Sequence, residues 1–443
     1  MARRRKRKPI PELPVEVTIE KLSHEGRGIT HIDGKTVFVD NALPGEKIMM
    51  KYARVSSKFD EGYSEEILEP SESRIEPACS NFEICGGCSL QHMSSADQIS
   101  FKQSILAEHF NHFGGIEPNE WLEPLQADTL GYRKKARLGA KYVMKKETCL
   151  VGFREKRSSF LAEISDCPVL VKSVDRLIMP LRELIGSLDS RQSTPQIEIA
   201  VGDKQTALVV RHMEPLSDGD QAAWMAFAKE HEVELYFQPK GPTTVHKVLP
   251  EGSEERLTYR LDDFDVELRF HPMDFTQVNA SINQKMVKLA IELLAPEPGD
   301  KVLDLFCGLG NFTIPLATQC DHVVGVEGVD TMVERGYENA SHNQLSNVDF
   351  YQADLQKDFS DKEWAKDGFD KILIDPPRSG ALDVVQYLPK FGAKRIVYVS
   401  CNPATLARDA GVMKEHGYKL LQAGVMDMFP HTAHVESIAV FEK

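Results

Sequence analysis

Three short apolar segments in the last third of the chain each end in a glycine-rich or polar loop. Residues 302–305 lead into Phe306-Cys307-Gly308-Leu309-Gly310, 372–374 into Asp375-Pro376-Pro377-Arg378, and 396–399 into Ser400-Cys401-Asn402-Pro403. Apolar runs of this length between helical patterns predict parallel strands buried on both faces. Open α/β sheets bind ligands at the carboxyl ends of such strands. From about residue 281 onward we therefore expect a doubly wound α/β domain with its active site at these loops.

The loop after the first of these strands predicts a nucleotide-type cofactor. Gly308 and Gly310 allow a sharp turn and a close approach of the backbone to a ligand. Glu327 ends the next predicted strand, where a carboxylate accepts hydrogen bonds from ribose hydroxyl groups. A dinucleotide enzyme has a similar loop, but its fingerprint requires glycine or alanine where this chain has Thr313. The pattern resembles the first motif of the Rossmann-like methyltransferases that use S-adenosylmethionine.

Cys401 is a candidate nucleophile in the third loop. A thiol that adds to C6 of uracil places electron density on C5, which then accepts a methyl group, and a base must remove the C5 proton before the thiol leaves. Glu436 is the predicted base, with His431 and His434 as alternatives. Asp375 is predicted to hold either the imide edge of uracil or the cofactor. In isolation Cys401 would be interpreted as an inert buried thiol, but the two neighbouring loops favour a catalytic role.

Four other cysteines have the spacing of a metal centre. Cys79, Cys85 and Cys88 form C-x5-C-x2-C, and Cys167 precedes Pro168 far downstream. Four thiolates bind either zinc or an iron–sulfur cluster. The three-plus-one arrangement ending in Cys-Pro favours a [4Fe-4S] cluster, because zinc sites usually contain two short pairs. The cysteines flank a basic segment, so a cluster here would brace that region.

The charge distribution predicts RNA contact although the net charge is −14. Residues 3–8 are an unbroken basic run, and residues 131–160 contain ten Lys or Arg against two Glu. Phosphate binding depends on local charge, although a solvated face would have the same composition. No stretch approaches the roughly 18 apolar residues of a membrane span, and no apolar signal core follows the basic start. We therefore expect a cytoplasmic protein without a membrane partner.

Several short strands before residue 70 predict a small β-barrel of the oligonucleotide-binding type. A chain of 443 residues exceeds one ordinary domain. We expect a multidomain α/β protein with a basic disordered arm at 1–12 and a TRAM or OB-like barrel at 13–71. A central β-rich domain with the cysteine site is expected at 72–270, and a Rossmann-like methyltransferase domain at 271–443.

Together these motifs resemble the bacterial RNA uracil-C5 methyltransferases, and most closely the branch that acts on 23S ribosomal RNA. The resemblance covers nearly the whole chain. It implies Cys401 as nucleophile, Glu436 as base and a target uridine flipped out of its stack. It also implies a [4Fe-4S] cluster on the four cysteines named above, 23S ribosomal RNA as partner and a monomeric enzyme. The implied S-adenosylmethionine site comprises Gln277, Phe306, Asn311, Glu327, Asp354 and Asp375.

One position departs from the family pattern, and three alternatives remain open. The family often has Asn where this chain has Asp354, although an acid still accepts from an adenine amino group. A tRNA-modifying branch typically lacks both the barrel and the cluster cysteines, so residues 15–70 and 79–88 argue against it. A sister branch modifies another uridine of the same ribosomal RNA without a barrel. A non-catalytic RNA-binding iron–sulfur protein would not require Cys401 and Glu436.

Overall fold

The computed structural model describes residues 9–366 and 368–443. Most of the predicted basic arm, residues 1–8, lies outside them. The chain divides into two compact units. The first runs to residue 102 and includes 154–162 and 429–434, and the second comprises 103–153, 163–428 and 435–443. In the described part of the chain, no helix combines the length and apolar character needed to cross a membrane.

The first unit contains a six-stranded, mostly antiparallel sheet. Its strands are β1 (Val15–Thr18), β2 (Lys21–Leu22), β3 (Gly28–Ile32), β4 (Lys35–Asp40), β5 (Lys47–Val55) and β6 (Asp60–Glu69), in the order β1-β5-β6-β4-β3-β2. Alternate apolar residues form its core, including Val17, Val37, Val39 and Ile48. Asp33 and Gly34, both with positive φ (50° and 76°), form the hairpin turn between β3 and β4. Helix α1 (Ser95–His109) follows and continues into a π-helical turn, Phe110–Gly114.

A second six-stranded sheet occupies the middle of the chain. After β7 (Glu120–Trp121), the elements are β8 (Lys135–Val143), β9 (Thr148–Gly152), α2 (Lys172–Asp175), α3 (Ile178–Ser187), β10 (Gln196–Val201), β11 (Thr206–Arg211), α4 (Asp218–Glu230), β12 (Glu234–Gln238) and β13 (His246–Leu249). The strand order is β13-β12-β11-β10-β8-β9. A separate hairpin, β14 (Leu257–Leu261) and β15 (Val266–Phe270), precedes the last domain. Short 3-10 turns lie at Asp189–Gln192, Pro242–Thr244, Asp262–Phe264 and Leu388–Phe391.

The last part of the chain forms the predicted doubly wound sheet. Its elements are α5 (Ala280–Leu294), β16 (Lys301–Leu305), α6 (Thr313–Ala317), β17 (His322–Glu327), α7 (Asp330–His342), β18 (Val348–Gln352), α8 (Glu363–Lys366), β19 (Lys371–Ile374), α9 (Leu382–Val385), β20 (Arg395–Ser400), α10 (Pro403–Glu415), β21 (Lys419–Met426) and β22 (Glu436–Glu442). The order is β18-β17-β16-β19-β20-β22-β21-β7, with β22 antiparallel to β20 and β21. The direction of winding reverses between β16 and β19, which is where such sheets bind ligands.

Candidate active site

Strand pairing brings Cys401 and Glu436 to the same edge of the eight-stranded sheet. Ser400 ends β20 and pairs with Ser437 of antiparallel β22, so Cys401 and Glu436 occupy the next opposing positions. The Ser437 hydroxyl donates to the carbonyl oxygen of Ser400 (3.2 Å), which ties the two strands together beside the site. The Glu436 carboxyl raises the pKa of the Cys401 thiol, which indicates that the two groups lie close together.

Three acidic groups and one cation determine the electrostatics of the site. Burial, reinforced by Glu436 and Asp375 and opposed by Arg378, raises the pKa of the Cys401 thiol to about 11. Burial also raises the pKa of Glu436 well above its usual value, again reinforced by Asp375 and opposed by Arg378. Burial alone raises the pKa of Asp375 to about 7. At neutral pH most of the Cys401 thiol is therefore protonated, and Asp375 is near its midpoint.

Helix α10 begins directly after Cys401 and holds the loop that carries Arg378. The Asn402 side chain caps the helix by accepting from the Ala404 N–H (3.1 Å) and donates to the Arg378 carbonyl oxygen (2.9 Å). Pro403 fills the first helical position, where no backbone N–H is needed. A helix N-terminus favours negative charge, so it partly offsets the burial of a Cys401 thiolate.

The first loop has the backbone of a ligand cradle. Phe306, Gly308 and Gly310 all have positive φ (64°, 54° and 97°). Glu327 ends β17 and accepts from the N–H groups of Gly308 (3.1 Å) and Gly328 (2.8 Å). A carboxylate offers about four acceptor positions, so Glu327 retains capacity for ribose hydroxyl groups. The residues present therefore fit S-adenosylmethionine.

Asp304 and Thr313 form a buried pair beneath this loop. The Thr313 hydroxyl donates to Asp304 Oδ2 (2.5 Å), and both residues are fully buried. Asp304 Oδ1 has no hydrogen-bond partner among the described residues. Burial raises the pKa of Asp304 to about 8, although the Thr313 hydrogen bond lowers it. The spacing of nine residues between Asp304 and Thr313 is the sequence signal for this pair.

The other predicted cofactor residues lie in three separate elements of the second unit. Gln277 is half-buried in the loop before α5. Asn311 follows the glycine-rich turn, and its side chain is hydrogen-bonded to Tyr259 and Asn283. Asp354 follows β18, is exposed and forms an ion pair with Lys357 (2.7 Å). These residues stay predictions as cofactor ligands.

Comparison with known proteins finds methyltransferase relatives that match this chain over its whole length. A model of the tRNA (Uracil-5-)-methyltransferase family matches residues 253–443, and a model of the TRAM domain matches residues 14–55. The chain is 56% identical to the 23S rRNA (uracil(1939)-C(5))-methyltransferase RlmD of Alcanivorax borkumensis, over 100% of this chain and 99% of the relative. It is 52% identical to the protein of the same name from Hahella chejuensis, over 99% of both.

The chain belongs to the RNA uracil-C5 methyltransferase family. The predicted membership, the N-terminal TRAM domain and the methyltransferase fold are thereby confirmed. A crystal structure of the Pyrococcus abyssi tRNA (uracil-54, C5)-methyltransferase with S-adenosyl-L-homocysteine superimposes with a TM-score of 0.74 at 25% identity. The match covers 96% of this chain and 100% of that one. A relative named for tRNA therefore shares the fold over nearly the whole length of this chain.

The two histidines considered as alternative bases belong to the first unit of this methyltransferase. The backbone N–H of His431 donates to Gln98 Oε1 (2.9 Å), and its carbonyl oxygen accepts from Ser89 and Leu90. His434 is exposed. Glu436, in contrast, belongs to the second unit and acts directly on the pKa of Cys401. The arrangement favours Glu436 as the base.

Much of the charge in the basic segment is neutralised within the fold. Four of its cations form ion pairs: Lys134 with Asp203 (2.9 Å), Arg137 with Glu198 (3.0 Å), Lys146 with Glu163 (2.7 Å) and Arg157 with Asp40 (3.1 Å). Lys135 donates to the Asp274 carbonyl oxygen, and Lys156 lies over the Phe82 ring. Lys141 and Lys145 are exposed and have no ion pair among the described residues. The local charge available to RNA is therefore smaller than the sequence indicates.

Three of the four predicted cluster ligands lie in the first unit. Burial raises the pKa of Cys88 to about 11, and the nearby Cys85 and Cys79 thiols add to this shift. The backbone N–H of Gly87 points at Cys85 Sγ (3.5 Å). Cys167, in the second unit, is buried, and its N–H donates to Asp175 (2.6 Å). Within residues 9–366 and 368–443, no group of three or more His, Cys, Asp or Glu has a metal-binding arrangement, so the cluster stays a prediction.

Proposed function

We propose that this protein methylates C5 of one uridine in 23S ribosomal RNA, with S-adenosylmethionine as methyl donor. The observation that carries the proposal is the opposition of Cys401 and Glu436 across β20 and β22, with Asp375 and Arg378 acting on both groups. The full-length relatives support the substrate, because they carry the name of a uracil(1939) methyltransferase of 23S rRNA. We propose that it acts in the cytoplasm as a monomer; all these site residues lie in one unit of one chain, which supports a monomer.

In the first step Cys401 adds to the uracil ring. The thiol gives up its proton as the Sγ–C6 bond forms, and the electrons of the C5=C6 double bond move into an enolate. Burial raises the pKa of Cys401 to about 11, so only a small fraction is thiolate at neutral pH, and this proton is released to solvent. Ionised Asp375 is suited to accept from N3–H of uracil, and the exposed Arg378 is suited to the developing negative charge.

In the closing step Glu436 removes the C5 proton. The electrons of the C5–H bond restore the double bond, the C6–Sγ bond breaks, and Cys401 leaves as a thiolate. Burial raises the pKa of Glu436 well above its usual value, which makes its carboxylate a stronger base than an exposed one. Bound S-adenosylmethionine would supply the electrophilic methyl group. Glu327 and the turn from Phe306 to Gly310 would hold it, since they lie at the carboxyl ends of β17 and β16.

The proposal is tested with ribosomal RNA from cells that lack this modification. The protein is incubated with isotopically labelled S-adenosylmethionine and the RNA, and the methyl group is mapped by nuclease digestion and mass spectrometry. We expect one 5-methyluridine in 23S rRNA and none with Cys401→Ala. A parallel reaction with unmodified tRNA tests the alternative raised by the archaeal structure. Label only on tRNA, or on an adenine amine, would contradict the proposal.

We also propose that Cys79, Cys85, Cys88 and Cys167 hold a [4Fe-4S] cluster. The support is the spacing of the cysteines and the proximity of the Cys85 and Cys79 thiols to Cys88. The protein purified without oxygen is expected to be brown and to contain about four iron atoms per chain. Cys88→Ser should lose this iron, whereas Cys149→Ser, a buried cysteine outside the set, should retain it. A colourless protein with one zinc would overturn the cluster.

A further inference from the structure

Polar side chains outside the eight-stranded sheet hold the residue that ends the glycine-rich turn. Tyr259 of β14 donates from its hydroxyl to Asn311 Oδ1 (2.8 Å). Asn283 of α5 forms a reciprocal pair with the same side chain: Asn283 Nδ2 donates to Asn311 Oδ1 (3.1 Å), and Asn311 Nδ2 donates to Asn283 Oδ1 (2.9 Å). Three hydrogen bonds from two elements therefore fix the plane of the Asn311 amide.

These contacts are partly buried. Asn283 is 4% exposed. Burial raises the pKa of Tyr259 far above its usual value, so its hydroxyl keeps its proton and donates throughout the accessible pH range. Loss of one partner would leave buried polar atoms unsatisfied, which costs more than a hydrogen bond at the surface. The arrangement is therefore a rigid support for Asn311.

The same turn has a second attachment through Asn339 of α7. Asn339 Nδ2 donates to the Leu309 carbonyl oxygen (2.9 Å), and Asn339 Oδ1 accepts from the Arg269 N–H of β15 (2.8 Å). Asn339 is fully buried. Both strands of the β14–β15 hairpin are thus connected to the turn, β14 through Tyr259 and β15 through Asn339. This hairpin is not part of the doubly wound sheet, yet it braces the sheet's ligand loop.

We propose that Tyr259 and Asn283 are positioning residues for S-adenosylmethionine, because they hold Asn311 and the end of the turn in the conformation that binds it. Neither residue needs to touch the cofactor. Ligand loops that are already ordered lose less conformational entropy on binding, so the brace raises affinity without taking part in the chemistry. This inference rests on the proposed function, since it concerns the cofactor of that reaction.

The test separates cofactor binding from turnover. Dissociation constants for S-adenosylhomocysteine are measured by calorimetry for wild type, Tyr259→Phe and Asn283→Leu. We expect binding about threefold weaker for Tyr259→Phe and about tenfold weaker for Asn283→Leu, from the net value of one and of two buried hydrogen bonds. At saturating S-adenosylmethionine, kcat and the KM for RNA should stay within about twofold of wild type. The double variant should lose less than the product of the two effects, because both residues act through Asn311.

Tyr418→Phe is the matched control. Its hydroxyl donates to the Ala393 carbonyl oxygen (2.7 Å) in a buried site away from this turn. It should lower the unfolding temperature to a similar extent as Tyr259→Phe and leave S-adenosylhomocysteine affinity unchanged. If Asn283→Leu does not fold, Tyr259→Phe alone decides the question. If wild type binds S-adenosylhomocysteine and the Tyr259 and Asn283 variants bind it as tightly as Tyr418→Phe does, this inference is overturned and the proposed function is not. A wild-type protein that binds no S-adenosylhomocysteine would overturn the proposed function as well.

Discussion

Ser437 donates its hydroxyl proton to the carbonyl oxygen of Ser400 (3.2 Å), and this contact lies beside the Cys401 and Glu436 positions. The nucleophile and the base are 35 positions apart in sequence, yet their relative position is set by the pairing of two adjacent strands. A sheet register is a stiff constraint, since a one-residue slip would move every side chain to the opposite face. The site therefore depends on β22 as much as on the loops at the ends of the parallel strands.

Glu436→Gln should stop the reaction after methyl transfer. The amide cannot remove the C5 proton, so the RNA should remain covalently attached to Cys401 and appear as a slow band on a denaturing gel. Turnover should fall by about 10²- to 10⁴-fold, the usual contribution of a general base. The unfolding temperature should change little, because burial already favours the neutral carboxyl in the folded protein. Glu442→Gln, on the same strand, should turn over normally; adduct formation by both variants would contradict the assignment.

The plot of activity against pH should show a bend near neutral pH, because Asp375 titrates there. Its pKa is raised to about 7, so the ionised form that accepts from uracil N3–H increases between pH 6 and 8. The kcat/KM for RNA should therefore rise through this interval and then rise more gently, because the pKa of Cys401 is about 11. Asp375→Asn should lower kcat/KM and remove the bend while the rise due to Cys401 persists. A wild-type rate that falls between pH 6 and 8 would show that protonated Asp375 is the active form.

Asp304 should make the folded protein less stable as pH rises. The folded-state pKa of about 8 exceeds the usual value of 3.8 for a carboxyl group, so the folded state binds more protons than the unfolded state between these values. Its contribution is fully present below the unfolded pKa and is lost as pH rises through about 8. Asp304→Asn should flatten the decline of the unfolding temperature between pH 6 and 9, as followed by differential scanning fluorimetry. Asp321→Asn, at an exposed position, should keep the wild-type slope; equal slopes for all three proteins would contradict the prediction.

Gly308 and Gly310 should differ in their tolerance of alanine, although both have positive φ. A Cβ at Gly310 would lie 2.9 Å from Ile314 Cγ1, whereas one at Gly308 would meet nothing within 4 Å. Gly308→Ala should therefore lower the free energy of unfolding by only about 1–2 kcal/mol, because alanine disfavours the left-handed conformation. Gly310→Ala should cost more and should also weaken S-adenosylhomocysteine binding, measured by calorimetry. Equal losses in the two variants would show that packing against Ile314 is unimportant.

Sequence patterns identified the residues proposed to carry the chemistry, but not the contacts that hold those residues in place. Cys401, Glu327 and Asp375 were identified because a strand end followed by a polar residue is a local pattern, and parallel strands place such ends at one edge. The support for Asn311 was not foreseen, since Tyr259 lies 52 residues upstream on a hairpin that no motif connects to the turn. Pairing over such distances depends on tertiary packing, which local periodicity does not encode.

The basic segment shows the same limit for charge. Lys134 is one of the ten cations in the basic segment, but its partner Asp203 is 69 residues away, so the pairing is not visible in a local count. Composition records which charges are present, whereas only the fold determines which of them are paired and which face solvent.

This distinction leads to a test of RNA binding at the tip of the β8–β9 hairpin. Lys145 and Lys146 are adjacent and both exposed, but Lys146 is paired with Glu163 at 2.7 Å whereas Lys145 has no ion pair in the described part of the chain. An unpaired cation that contacts a phosphate releases a counterion on binding, and each such contact steepens the dependence of affinity on salt. Lys145→Ala should therefore reduce the slope of log Kd against log salt by about 0.7–0.9.

Lys146→Ala should have a smaller effect, because removing it also frees the Glu163 carboxylate. The slopes are obtained by fluorescence anisotropy with a labelled ribosomal RNA fragment. Identical slopes for wild type and Lys145→Ala would place the hairpin tip away from the RNA.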